Sequence, residues 1–267
     1  MLRDVFFKSL RDQRRSLVWW SLGVAAYVAF LVPFYPTIKK SAVDLGTYLE
    51  NLPEVLRTAF MGSGGDYASP LGYLNTELFS WLVPLVFIVF GVGAGARALA
   101  GEEETGTLSL LLSYPLSRRR LVLQKSAALA VALLVVATAF YVSLLIAVSA
   151  VGMEVSAGTL LEGVALGGLL GLAVGSISLT VATATGRHAM GIAVAAAVGV
   201  ASYLLNTIAL LSDEVRPFRV LSFFHYYGGA TPLSSGVTWS AAVVFLGTMA
   251  VMLAATLVLF ERRGVTV

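Results

Sequence analysis

Long apolar runs alternate with short polar breaks along this chain. Six runs reach the roughly 20 residues a helix needs to cross the hydrocarbon core of a bilayer. They are Leu17–Tyr35, Leu78–Ala96, Leu121–Val151, Leu160–Ala184, Met190–Leu211 and Trp239–Phe260. The third is long enough to tilt or to begin outside the hydrocarbon. Strict apolar–polar alternation is absent and the runs are too long for strands, so the pattern predicts helices and argues against a barrel. The first run follows basic residues as a signal peptide would. It is long, however, and no small-residue cleavage site follows it, so it reads as an uncleaved span.

Between the runs lie segments of other kinds. Near the start, Leu2, Val5, Phe6, Ser9 and Leu10 fall on one helical face, with Arg3, Arg11, Arg14 and Arg15 mainly elsewhere. This predicts a basic amphipathic helix over residues 1–16, lying on the inner membrane surface. The loop 36–76 places Leu45, Tyr48, Leu49, Leu52, Val55, Leu56, Ala59 and Phe60 at helical spacing, with Pro53 dividing them into two short amphipathic helices. The loop 212–237 carries Phe223, Phe224, Tyr226 and Tyr227, which suit a membrane interface. In the fourth run Gly163, Gly167, Gly171 and Gly175 recur every four residues, a spacing that lets two helices approach closely. The partner helix lies either within the same chain or across a dimer seam.

Composition agrees with the pattern. Of 267 residues 58% are hydrophobic and 12% charged, about half the charge of a soluble domain. The fold class is therefore an all-α integral membrane protein of one domain spanning 1–267. Cysteine is absent, which removes disulfides and thiolate metal sites. A net charge of +3 is too small to argue for nucleic acid as a partner. The distribution of charge says more. With six spans, thirteen Lys and Arg fall on the side holding both termini and five on the other. The positive-inside rule then puts both termini in the cytoplasm of a multi-pass cell-membrane protein.

The candidate chemistry is mostly absence. The spans carry almost no ionisable residue away from their ends, which disfavours proton-coupled transport. There is no HExxH and no phosphate-binding Gly-rich loop, so if ATP drives this protein another chain binds it. Ser176 and His188 lack a nucleophile turn, and no catalytic set or metal set is expected. The leading non-ATP alternatives are a secondary transporter or channel, and a non-transporting membrane scaffold.

One stretch is richer than a turn requires: GEEETGTLSLLLSYPLSRRRLVLQK, Gly101 to Lys125, between the second and third runs. Thr107 can cap a short helix with Leu108, Leu111 and Leu112 on one face. Pro115 stops it, and Ser117 can cap the next helix at Arg118. A six-residue helix is unstable alone, so its leucines need a groove in the membrane or on a partner. The flanking acids disfavour an anionic leaflet.

This stretch resembles the signature cytoplasmic loop of ABC-type-2 exporter permeases. The matching positions are Glu103 or Glu104, Gly106-Thr107-Leu108, Leu111-Leu112-Ser113, Pro115-Leu116-Ser117-Arg118 and Lys125. Leu116 stands where Val is common. The six-span layout agrees over the whole chain. The resemblance implies a permease domain whose 97–125 loop holds a short cytoplasmic coupling helix. Glu103, Glu104, Gly106, Thr107, Leu108, Leu111, Leu112, Pro115, Ser117 and Arg118 would dock a separate ABC ATPase. It further implies two permease copies, as a homodimer, with two ATPases. ATP and Mg would be bound on the ATPases, and no cofactor on this chain.

Overall fold

The computed structural model describes residues 5–41, 69–108, 117–228 and 231–262. The expected amphipathic helices of the 45–60 region lie outside these, as do Leu111, Leu112 and Pro115. Among the described residues six helices are long and apolar enough to cross a membrane, and there is no strand. The spans are α1 (Val5–Leu31), α2 (Leu82–Ala98), α3 (Arg118–Val151), α4 (Ala157–Thr185), α5 (His188–Leu211) and α6 (Trp239–Arg262).

No Gly or Pro interrupts the chain between Val5 and Leu22. The segment expected as a separate surface helix and the first span therefore form one continuous α1, which runs on through a 3₁₀ turn at Val32–Phe34 to Ser41. Val5 and Ser9 are buried against the rest of the chain. Ser117 caps α3 as its sequence position suggests, its hydroxyl accepting from the Arg120 N–H. Helices α3 and α4 both end at a glycine in the left-handed region, Gly152 and Gly186, each with φ +68°. A side chain would strain that conformation.

Helix α4 is the centre of the bundle. Two-thirds of its apolar window is buried, against about one-sixth for α1 and α6. The glycines of its four-residue ladder pack within the chain, Gly167, Gly171 and Gly175 against α2. A Cβ on Gly171 would lie 2.5 Å from the Phe87 carbonyl oxygen, and one on Gly175 would lie 2.8 Å from that of Gly91. Gly163 faces Phe79 and Leu233, and Gly167 faces Val83 and Phe87. The Ser178 hydroxyl donates to the Val92 carbonyl at 2.9 Å across the same seam.

Ahead of α2 the second span opens with a short helix, Pro70–Leu74, and a π-helical turn, Asn75–Phe79. A π turn leaves backbone groups to be satisfied from elsewhere. The buried Tyr227 hydroxyl donates to the Phe79 carbonyl at 2.6 Å. The Asn75 side chain accepts from the Leu233 N–H at 3.0 Å. The 212–237 loop is thus folded onto this end of the bundle, and Tyr227 is a core residue rather than an interfacial one.

Candidate functional site

At the opposite end, where Val5 and Arg262 lie, the described parts of the Gly101–Lys125 stretch, 101–108 and 117–125, are bound to most of the bundle. Residues Ala100–Glu104 form one helical turn after α2. It turns Glu102 inward. Glu102 accepts from Lys125 of α3 at 2.5 Å and from Lys8 of α1 at 3.2 Å. Lys125 is buried, and burial of an ammonium is tolerated only with a close counter-charge. The carboxylate is therefore what lets a lysine point into the base of the bundle. Its second oxygen, Oε2, is buried and without a hydrogen-bond partner.

Glu104, two residues on, points the other way. It accepts from the backbone N–H of His188 at 2.9 Å and contacts the imidazole Nδ1. His188 is the first residue of α5, whose N-cap position supplies no side-chain cap. Glu104 therefore caps α5 from 84 residues away, where an acid also complements the helix dipole. The His188 backbone and ring bonds hold its carboxyl below the usual carboxylate range.

Gly106 has φ +71° and opens a tight reversal. The Thr107 hydroxyl donates back to the Glu102 carbonyl at 3.2 Å, closing the helical turn before it. Leu108 is 1% exposed. It sits in a cluster with Val5 of α1, Leu99 after α2, Leu121 and Val122 of α3, Leu179 of α4 and Phe260 of α6. Leu108, expected on the docking face, is buried within this chain, where it ties the loop to the bundle. Arg118 is also turned inward. Its guanidinium donates to the Phe260 carbonyl at 3.0 Å and lies 5.7 Å from that ring. Arg119 pairs with Glu261 beside it.

Of the expected docking residues, Glu104, Thr107, Leu108, Ser117 and Arg118 make contacts inside the chain. Glu103 and Gly106 stand at the turn itself. Glu102 and Lys8, the functional-looking pair that the sequence did not single out, were hidden by three consecutive acids of identical type.

Beside this junction a cavity of about 620 Å³ opens between α1 and α2. Asp12, Arg97, Glu102 and Lys125 line its polar part. Trp20 and Phe90, edge to face at 5.7 Å, line its apolar part. Ser176 and His188 do not form a catalytic pair. The Ser176 hydroxyl donates to the Ala173 carbonyl, and His188 is held by Glu104. Among the described residues no three His, Asp or Glu side chains gather so as to hold a metal ion.

Comparison with protein families finds a match to a family described as ABC-2 family transporter protein, over residues 4–265. Among curated proteins none matches the chain.

Proposed function

This chain belongs to the ABC-2 transporter family, and on that premise we propose that it is the membrane-spanning permease subunit of an ATP-driven exporter, energised by a separate ATPase that docks on the 101–125 loop. The observation that carries the reading is the way this loop is tied to the bundle. Glu102 binds α1 and α3, Glu104 caps α5, Arg118 holds the end of α6, and Leu108 enters a cluster that includes α4. The loop continues directly from α2. A force applied to it reaches all six spans.

In this mechanism Leu111, Leu112 and Pro115 enter a groove on the ATPase, with Glu103 and Gly106 at its edge. Leu108 and Arg118 fix the loop to the permease so that it moves as a unit. ATP and Mg bind on two ATPase subunits, which work with two copies of this chain at the cell membrane, both termini cytoplasmic. Closure of the ATPases drives the loops and rocks the helices between two access states. The cavity between α1 and α2 has charged groups at the loop end and aromatic rings deeper, an order that suits an amphiphilic cargo.

The test is purification in gentle detergent, with Leu111→Asp run in parallel. The expected result is a nucleotide-binding subunit that co-elutes with the wild type and is lost from the variant, both inserting equally in the membrane. Absence of any ATPase from the wild type, including after crosslinking, would overturn the reading in favour of an ATPase-independent transporter or scaffold.

A further inference from the structure

A second cavity lies elsewhere in the bundle and shares Leu179 and Leu253 with the cluster around Leu108. It measures about 350 Å³ and is enclosed by α3, α4 and α6. Leu123, Ser126, Leu172, Ser176, Met249 and Thr256 line it. Its walls are almost wholly apolar, and it opens where Leu123 and Ala127 are exposed on the outside of the bundle. Its volume is at the low end of those that hold a small organic ligand.

Two observations give its occupant a polar end. The first is Ser126. Hydroxyls inside membrane helices are ordinarily returned to a carbonyl one turn back, and Ser176 and Thr256 around this cavity do so. The Ser126 Oγ is buried and has no partner. An unsatisfied hydroxyl in an apolar site is costly unless a ligand completes it. The second is the charge beneath the mouth. Arg119 and Arg120 are exposed and precede Leu123 by four and three residues on α3. They therefore lie on the same helical face, about 5–6 Å toward the membrane surface. Basic clefts between helices at that depth recognise lipid headgroups.

We infer that this cavity is a binding site for an anionic phospholipid of the surrounding leaflet. One acyl chain fills the space between Leu172, Met249 and Thr256. The phosphate lies on Arg119 and Arg120. Ser126 lies about 9 Å deeper than Arg120, at the level of the ester groups, and donates to an ester carbonyl. Arg119 also pairs with Glu261, so the lipid seals the contact between the ends of α3 and α6. The inference needs only that the bundle is in a membrane and stands apart from the ATPase reading.

The experiment is native mass spectrometry of the full chain after incubation in bilayer discs of equal phosphatidylglycerol and phosphatidylcholine. The expected result is about fivefold preferential retention of phosphatidylglycerol. Arg120→Gln, at an exposed position, should abolish the preference. Ala127→Trp, which blocks the mouth, should lower retention of the lipid about tenfold. Thermal unfolding supplies a second readout: phosphatidylglycerol should raise the Tm of the wild type more than phosphatidylcholine does, and Arg120→Gln should remove that difference. Equal retention of the two lipids by the wild type, or an unchanged preference in Arg120→Gln, would overturn the inference. So would unchanged retention in Ala127→Trp. If that variant fails to fold, Arg120→Gln and the wild-type Tm comparison decide.

Discussion

Glu102 holds Lys125 at 2.5 Å and Lys8 at 3.2 Å, and the first of these lysines is only 5% exposed. Removing the carboxylate leaves a buried ammonium without its counter-charge, a change that costs about 3–5 kcal/mol. Glu102→Ala should therefore be strongly destabilising in detergent. Adding Lys125→Met, which removes the stranded charge and keeps the length, should recover more than half of the loss. A double-mutant cycle on thermal unfolding measures both; additive effects would show that the two side chains do not depend on each other. Glu104 gives a different signature, because its folded pKa is lowered from an ordinary 4.5 by the His188 backbone bond first and the His188 ring second. A lowered carboxyl stabilises the fold fully above its unfolded pKa and loses that contribution as pH falls through the folded value. Glu104→Gln should consequently unfold more easily than the wild type at neutral pH. The difference in Tm should close as pH falls below 4.5.

Helices α2 and α4 touch backbone to backbone, and the glycines make that approach possible. A Cβ on Gly91 would meet the Gly171 carbonyl oxygen at 2.3 Å, whereas one on Gly93 would meet nothing within 4 Å. Gly91→Ala must push the helices apart and should cost about 1–3 kcal/mol. Gly93→Ala, on the same helix, should be neutral or stabilising, since alanine is the better helix former. Parallel unfolding curves of the two variants check the seam. The glycine ladder of α4 was legible in sequence because its four-residue spacing is a local pattern. Its partner was not, because whether a ladder meets its own chain or another copy is decided by tertiary packing. The same division runs through the loop. Ser117 as a cap depends on neighbours three residues away and could be read. Leu108 could not, because the stripe it shares with Leu111 and Leu112 looks the same whether it meets a partner or the chain's own base. Of three adjacent acids, the one facing Lys125 is set by the angle at which Ala100–Glu104 leaves α2. The π turn at Asn75–Phe79 has no composition that marks it; it is held by Tyr227 and Leu233, about 150 residues away.

At the scale of the whole molecule, the fold gathers its loops into two ends with different work. One end holds Lys8, Glu102, Lys125 and Arg118 in a charged junction; the other is closed by the 212–237 loop around Asn75 and Phe79. ATP is available only in the cytoplasm, so the proposed function requires the junction to face inward. The excess of Lys and Arg there argues the same way. The chain contains no cysteine, so single cysteines report orientation without background. Arg14, Thr105 and Glu214 are exposed positions, the first two at the junction end and the third at the other. In intact cells a membrane-impermeant maleimide should label Glu214→Cys and leave Arg14→Cys and Thr105→Cys unlabelled; permeabilised cells should give label at all three. Labelling of Thr105→Cys in intact cells would place the loop where no ATPase can reach it, and the coupling mechanism would fall with the topology while the six-helix fold remained.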